Sequence, residues 1–240
     1  MTDAISFTQK LGDGSELEFF TNNEVFFPTG TSGVLINAVQ SQITSPGALL
    51  DLGCGTGVVG VVLSKLGCAS NPLFLSDASP QAVLLAEQNA KLHNVLCDAR
   101  AGSLYEPWGS MKFDYIIDDV SGIAEDIAKI SPWFHNVPCA SGSDGADLVV
   151  DVLNGAPKHL NEHGKIFFPV LSLSNGERIL KAARSNFNNV ELLNRKTWPL
   201  PDEMTAHFDF IRRLASAGLI QVEEKFGMML WHTDIYMAGN

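Results

Sequence analysis

The sequence predicts an α/β fold, a three-layer sandwich in which a mostly parallel sheet lies between two layers of helices. Three observations predict it. Short apolar strands alternate with helices through the middle of the chain. A glycine-rich turn joins the first of those strands to a helix. A two-strand hairpin precedes the alternation.

In order along the chain, residues 5–27 read as two strands around Gly12-Asp13-Gly14. Ala48-Leu49-Leu50-Asp51-Leu52 is a short apolar run ending at glycines, the first buried strand. Val58 to Leu66 follows as a helix, with Gly67 at its stop. Leu73 to Asp77 is the second strand. Ser79-Pro80 then supplies an N-cap and a first-turn proline for a helix running to about Leu92. Val95 to Ala99 is a third, weaker strand and Phe113 to Asp118 a fourth. Gly145 to Leu160 reads as a helix disturbed by Gly155 and Pro157. Residues 161–164 are a turn, Lys165 to Leu171 a fifth strand, Glu177 to Phe187 a helix and Val190 to Leu193 a strand. Asp202 to Leu219 is an amphipathic helix, and Met228 to Met237 closes the chain as a strand.

The 240 residues suit one domain. We divide it into an N-terminal hairpin extension (1–30), a core (31–193) and a C-terminal helix with closing strand (194–240). Sixteen basic against 27 acidic residues give a net charge of −11, which disfavours a nucleic-acid partner without excluding it. No apolar run is long enough to span a bilayer, and Met1 to Ile5 does not open a basic-then-apolar leader, so the expectation is a cytoplasmic protein with no membrane partner. Cys54, Cys68, Cys97 and Cys139 lack metal-ligand spacing, and the six histidines form no HExxH-type cluster. A reduced, metal-free protein is expected.

The sharpest motif is Asp51-Leu52-Gly53-Cys54-Gly55-Thr56-Gly57-Val58-Val59-Gly60. A strand ends, the backbone turns tightly on glycine, and a helix opens with free N–H groups and a partial positive charge. Two patterns overlap in it. Gly55-x-Gly57-x-x-Gly60 fits a dinucleotide fingerprint. Asp51-x-Gly53-x-Gly55-x-Gly57 fits a site for S-adenosylmethionine, whose ammonium and sulfonium suit a carboxylate that would repel a pyrophosphate. Asp77 ends the second strand, twenty positions after Gly57. It is placed to accept from ribose hydroxyls, or alternatively to cap the next helix.

Four runs occur in order: residues 26–32 (FFPTGTS), the DLGCGTG run, residues 113–119 (FDYIIDD) and residues 142–147 (GSDGAD). Together they resemble the small-domain group of class I methyltransferases, which includes release-factor glutamine and ribosomal RNA guanine methyltransferases. The resemblance covers roughly residues 25–175. It implies a Rossmann-like, mostly parallel seven-stranded sheet with one antiparallel strand near the C-terminus, and S-adenosylmethionine as cofactor. The binding residues it implies, with the motif, are Thr29, Asp51, Gly53, Cys54, Gly55, Thr56, Gly57, Asp77, Ala78, Ser103, Leu104 and Asp119. Where that group carries Asn/Asp-Pro-Pro-Tyr/Phe, this chain has Asp119-Val120-Ser121-Gly122. Asp119 is the first candidate to position a methyl-accepting nitrogen and Asp118 the second.

The expected function is N-methylation of a protein or small-molecule acceptor, with acceptor atom and oligomeric state left open. Acceptor contacts are expected from Phe19, Phe20 and Phe26, from the long loop 121–143 with Trp133, Phe134 and His135, and from Trp198-Pro199-Leu200-Pro201, each of which could equally be packing. Two rivals remain. One is a non-catalytic scaffold that keeps the cofactor pocket. The other is a nicotinamide-dependent oxidoreductase, which fits Asp77 but not Asp51.

Overall fold

The computed structural model describes residues 5–12, 14–134 and 137–240. Asp13 of the expected hairpin turn, His135 of the expected acceptor contacts and the first four residues lie outside the described residues.

Strands β1 (Ile5–Lys10) and β2 (Glu16–Thr21) pair as an antiparallel hairpin. Helix α1 (Gly30–Gln42) follows, and the sequence reading had no helix there. Its start is nonetheless written in the sequence: the Thr29 hydroxyl oxygen accepts the Thr31 N–H at 3.3 Å as an N-cap. Then come β3 (Leu49–Leu52), α2 (Val58–Lys65), β4 (Leu73–Asp77), α3 (Pro80–Leu92), β5 (Cys97–Ala101) and β6 (Phe113–Asp118). Ser79 caps α3 by accepting the Ala82 N–H, with Pro80 in the first turn.

The stretch expected as a loop over 121–143 contains helix α4 (Glu125–Ile130) and a 3-10 turn at Pro132–Phe134. Glu125 and Asp126 sit in the first turn of α4 and Lys129 in the last, which complements the helix dipole. Helix α5 (Asp147–His159) runs uninterrupted through Gly155 and Pro157. Gly155 admits the Tyr105 ring, which a Cβ would meet at 2.6 Å, and the hydrogen bond missing at Pro157 falls in the last turn.

Strand β7 (Leu160–Leu171) contains the expected turn as an irregularity: its pairing with β6 jumps from Phe113↔Leu160 to Tyr115↔Lys165. After α6 (Gly176–Asn186), strand β8 (Asn189–Pro199) is longer than the apolar run that predicted it. Its polar second half is held by backbone pairing with β10 rather than by burial. The expected helix 202–219 is divided into a 3-10 turn (Asp202–His207) and α7 (Phe208–Ser216). A short β9 (Glu223–Lys225) then turns into β10 (Met228–Gly239).

The strand order is β5-β4-β3-β6-β7-β10-β8, with β9 added on β10, so the sheet has eight strands rather than the seven expected. The pairs from β5 to β7 are parallel and β10 is antiparallel to both neighbours. Alternation along β3 sends Leu49 to one face and Leu50 to the other. Leu49 packs with α1, α2 and α3; Leu50 packs with α5 and α6. A separate apolar cluster joins α4, α7 and β10 through Ile127, Ile211, Leu214 and Trp231. No helix among the described residues is long and apolar enough to cross a membrane.

Strand order reverses at β3, between β4 and β6, and a parallel sheet opens its crevice at the carboxyl ends of strands at such a point. The turn leaving β3 is therefore the critical one. Gly57 there has φ +77, and a Cβ would lie 3.0 Å from Ala86 Cβ of α3. Gly57→Ala is expected to destabilise the chain by about 1–3 kcal/mol in urea unfolding, through the left-handed backbone and the α2–α3 contact together.

Candidate functional site

The turn from β3 to α2 is built on three glycines with φ of +79 (Gly53), +52 (Gly55) and +77 (Gly57). Two of them make room for protein. A Cβ on Gly53 would meet Val120 Cγ1 at 2.8 Å, and Gly57 faces α3. Gly55 is different: among the described residues nothing lies within 4 Å of where its Cβ would be, so a ligand can approach the backbone there.

Hydrogen bonds fix the turn. Gly53 and Cys54 N–H donate to the Ser76 carbonyl at 2.8 and 2.9 Å, and Gly57 N–H donates to the Cys54 carbonyl at 2.7 Å. The Asp51 carboxylate accepts the Gly60 N–H at 2.8 Å from beneath. Asp77 accepts the Gly55 N–H at 2.9 Å with one oxygen and the Ser79 N–H at 2.8 Å with the other. The cap of α3 is thus Ser79, while Asp77 braces the glycine turn from the crevice wall.

Above this turn opens a crevice of about 560 Å³. Gly53 to Thr56, Asp77, Ala78, Ser103 and Leu104 line one side; Thr29, Ser32 and Asp119 line another. Phe26, Trp133 and Phe134 line it as well, with Phe26 and Phe134 in contact at 4.9 Å between ring centroids. Glu24, Asp77 and Asp119 are the charged residues of the wall, and it holds no Lys or Arg among the described residues.

Asp119 leaves the end of β6 and its carboxylate accepts from the Ser32 hydroxyl, in the first turn of α1, at 3.2 Å. Burial holds the Asp119 carboxyl well above its usual range; the nearby Asp51 charge adds to this, the Ser32 bond opposes it and Asp118 adds a smaller push. Burial likewise pushes Asp51 up to about 7, against the Gly60 N–H and with the charge of Asp77. Asp118 is pushed up to about 8 by burial, against the Val120 N–H. One oxygen each of Asp51 and Asp118, and the Thr56 hydroxyl, are buried without a hydrogen-bond partner among the described residues. A carboxyl kept from water in this way favours its neutral form until a cation arrives.

The structure gathers ten of the twelve expected binding residues in the crevice wall: Thr29, Gly53, Cys54, Gly55, Thr56, Asp77, Ala78, Ser103, Leu104 and Asp119. Asp51 and Gly57 lie outside it. Asp51 is fully buried beneath the turn, where it shapes the backbone instead of facing a ligand. Asp118, the second catalytic candidate, is turned by the alternation along β6 into the core, fully buried and out of the wall. Phe19 is core too, packed on Phe7 and His93. Phe20 packs against Val25, Ala82 and Leu85. Trp198 to Pro201 line a neighbouring cavity rather than this one. Wall residues that sequence reasoning missed include Leu148, Pro169 and Trp231. Each lies in an apolar run, where a residue beside a ligand reads the same as core.

The chain is similar to known methyltransferases. Residues 16–120 match the family described as "Methyltransferase small domain". A release factor glutamine methyltransferase of Geobacter sulfurreducens is 27% identical over 172 residues, covering 68% of this chain and 59% of its own length. A ribosomal protein L11 methyltransferase of Lactobacillus johnsonii is 28% identical over 164 residues, covering 67% of this chain and 44% of its own. The chain thus spans about half the length of these curated relatives. Among solved structures, a T. thermophilus 16S rRNA N2 methyltransferase in complex with AdoMet and guanosine superposes with TM-score 0.64 at 17% identity, over 98% of this chain and 50% of that one. A ribosomal protein L11 methylase from Lactobacillus delbrueckii subsp. bulgaricus gives 0.54 at 17% identity, over 88% and 79%. The fold is that of the class I methyltransferases.

The buried acids carry a pH signature. Between the ordinary 3.8 and the raised values of about 7 and 8, the folded chain keeps protons on Asp51 and Asp118 that the unfolded chain releases. Stability therefore falls as pH rises through that window, by up to about 1.4 kcal/mol per pH unit for each group. Asp118→Asn keeps an acceptor for the Val120 N–H and removes one titration. Thermal unfolding across the window is expected to show a flatter pH dependence for this variant and a higher melting temperature above about pH 8.

Proposed function

We propose that this chain, a class I methyltransferase of the small-domain group, binds S-adenosylmethionine in the crevice and methylates a nitrogen of a protein or small-molecule acceptor. The observation that carries this reading is the sign of the wall: among the described residues its charged side chains, Glu24, Asp77 and Asp119, are all acidic. Such a wall attracts the ammonium and sulfonium of S-adenosylmethionine and repels the pyrophosphate of a nicotinamide dinucleotide. The open side of Gly55 leaves space for a ligand close to the backbone.

When bound, S-adenosylmethionine supplies a methyl group already activated by positive sulfur. The chain's part is to bind, orient and exclude water. Asp77 keeps lone pairs free for ribose hydroxyls although both its oxygens accept backbone N–H groups. Ser103 and Leu104, after β5, line the crevice on the side where we place the adenine. Asp119 is the positioning residue for the acceptor: its carboxylate, steered by the Ser32 hydroxyl, accepts a hydrogen bond from the nitrogen and offsets positive charge developing there. A cation in the crevice lowers the energy of the ionised Asp119 that burial otherwise opposes. Phe26, Trp133 and Phe134 cover the wall with apolar surface that keeps water out.

Val120-Ser121-Gly122 follows Asp119 without the prolines and aromatic of the resembled group. Val120 instead packs on Gly53, which ties the strand end to the glycine turn. The acceptor is therefore held by Asp119 and the aromatic wall rather than by a proline carbonyl. The test is transfer of an isotopically labelled methyl from S-adenosylmethionine into separated protein, RNA and small-molecule fractions. Label is expected in the protein or small-molecule fraction, with Asp119→Ala slowing it by about a hundredfold or more even at saturating cofactor. Label in no fraction, in protein that binds the cofactor, would favour a scaffold; label confined to RNA would overturn the acceptor class.

A further inference from the structure

Next to the crevice lies a second cavity of about 510 Å³. The two share Thr29, Thr31, Trp133 and Trp231 as wall residues. Three of the chain's four tryptophans, Trp133, Trp198 and Trp231, stand in the wall of this second cavity together with Phe208. The rings are in mutual contact: Trp133 and Trp231 centroids are 5.3 Å apart, Trp198 and Trp231 6.4 Å. Among the described residues, Asp202 is the one charged residue lining it. Its side chain is exposed and makes no ion pair with a cation among the described residues.

We propose that this cavity takes a lysine or arginine side chain of a protein acceptor, anchoring it beside the nitrogen that is methylated in the crevice. The proposal rests on the methyltransferase reading above and names the acceptor class as a basic polypeptide segment. Aromatic faces attract cations, and an unpaired carboxylate at their edge adds charge and direction. A net charge of −11 draws basic partners and repels RNA.

A further observation favours a polypeptide over a free amine. At the cavity's edge the β9–β10 turn carries Gly227 and Met228, with Phe226 beside them 95% exposed. An aromatic ring left almost wholly in water beside a cavity gives a protein surface an apolar contact that a small metabolite could not use.

Because three of the four tryptophans line the cavity and Trp108 is buried elsewhere, intrinsic fluorescence reads its occupancy. The full chain is titrated with three short peptides of matched length: rich in lysine and arginine, in glutamine, and in glutamate. We expect saturable change with the basic peptide at concentrations about tenfold below any effect of the neutral one, and none with the acidic one. Asp202→Asn should weaken the basic peptide about tenfold, and Trp198→Phe should retain binding with a smaller signal. Both variants should bind S-adenosylhomocysteine as the parent does, which also shows that they fold. Equal response to neutral or acidic peptide, no effect of Asp202→Asn, or response to a single-stranded RNA in place of the basic peptide would overturn the proposal. Failure of the parent to bind S-adenosylhomocysteine would instead remove the methyltransferase reading, while the peptide titration still judges the cavity.

Discussion

Asp51 holds the glycine turn from beneath through the Gly60 N–H, and Asp77 braces it from the side through the Gly55 N–H. Between them they impose the path of a backbone that passes three times through left-handed conformations. Everything else at the site is arranged around this turn. Val120 follows Asp119 because it packs on Gly53, α3 sits where Gly57 admits Ala86, and α2 begins where the turn ends. Placing carboxylates here has an electrostatic consequence. Burial raises the energy of the charged forms, so the ligand that best relieves the site is cationic.

The sheet supplies the location and the flanks supply selectivity. At the reversal of strand order, β3 and β6 end side by side, and Leu52 and Asp118 are register partners. One residue further, Asp119 emerges into the crevice, while Asp118 stays in the core because successive strand residues face opposite ways. The segment after β6 is drawn back over the crevice by specific contacts. Ala124 N–H donates to the Leu173 carbonyl at 2.8 Å, and the Ser141 hydroxyl to the Ser121 carbonyl at 2.9 Å. Asp144, bonded by Arg178 and Asn175, ties its far end to α6. Trp133 and Phe134 are thereby held in the wall, and the apolar cluster of α4, α7 and β10 stands behind them.

Strands and caps with strong local chemistry were legible in the sequence: β3, β4 and β6 as apolar runs, and the start of α3 from Ser79-Pro80. The glycine turn and Asp77 were legible because a turn of that kind admits few residue types. Helix α1 was not, since its polar first turn follows Pro28-Thr29 and reads as loop until its cap is seen. The second half of β8 was hidden because Asn194 to Thr197 are exposed and owe their conformation to pairing with β10. Asp51 illustrates a different gap. Its identity at the strand end signalled a cationic ligand, but only the side-chain direction shows that it acts through the backbone of Gly60. Likewise Trp231, on a strand read simply as closing the sheet, lines both cavities because β10 passes behind the crevice.

An acidic crevice should accept a cationic nucleoside and reject a pyrophosphate. Calorimetric titration with S-adenosylmethionine, S-adenosylhomocysteine and NAD tests this most directly. Micromolar binding of S-adenosylmethionine and S-adenosylhomocysteine, about −7 to −9 kcal/mol, and none of NAD is expected. Tighter binding of NAD, or no binding of either adenosyl compound to folded, ligand-free protein, would contradict it.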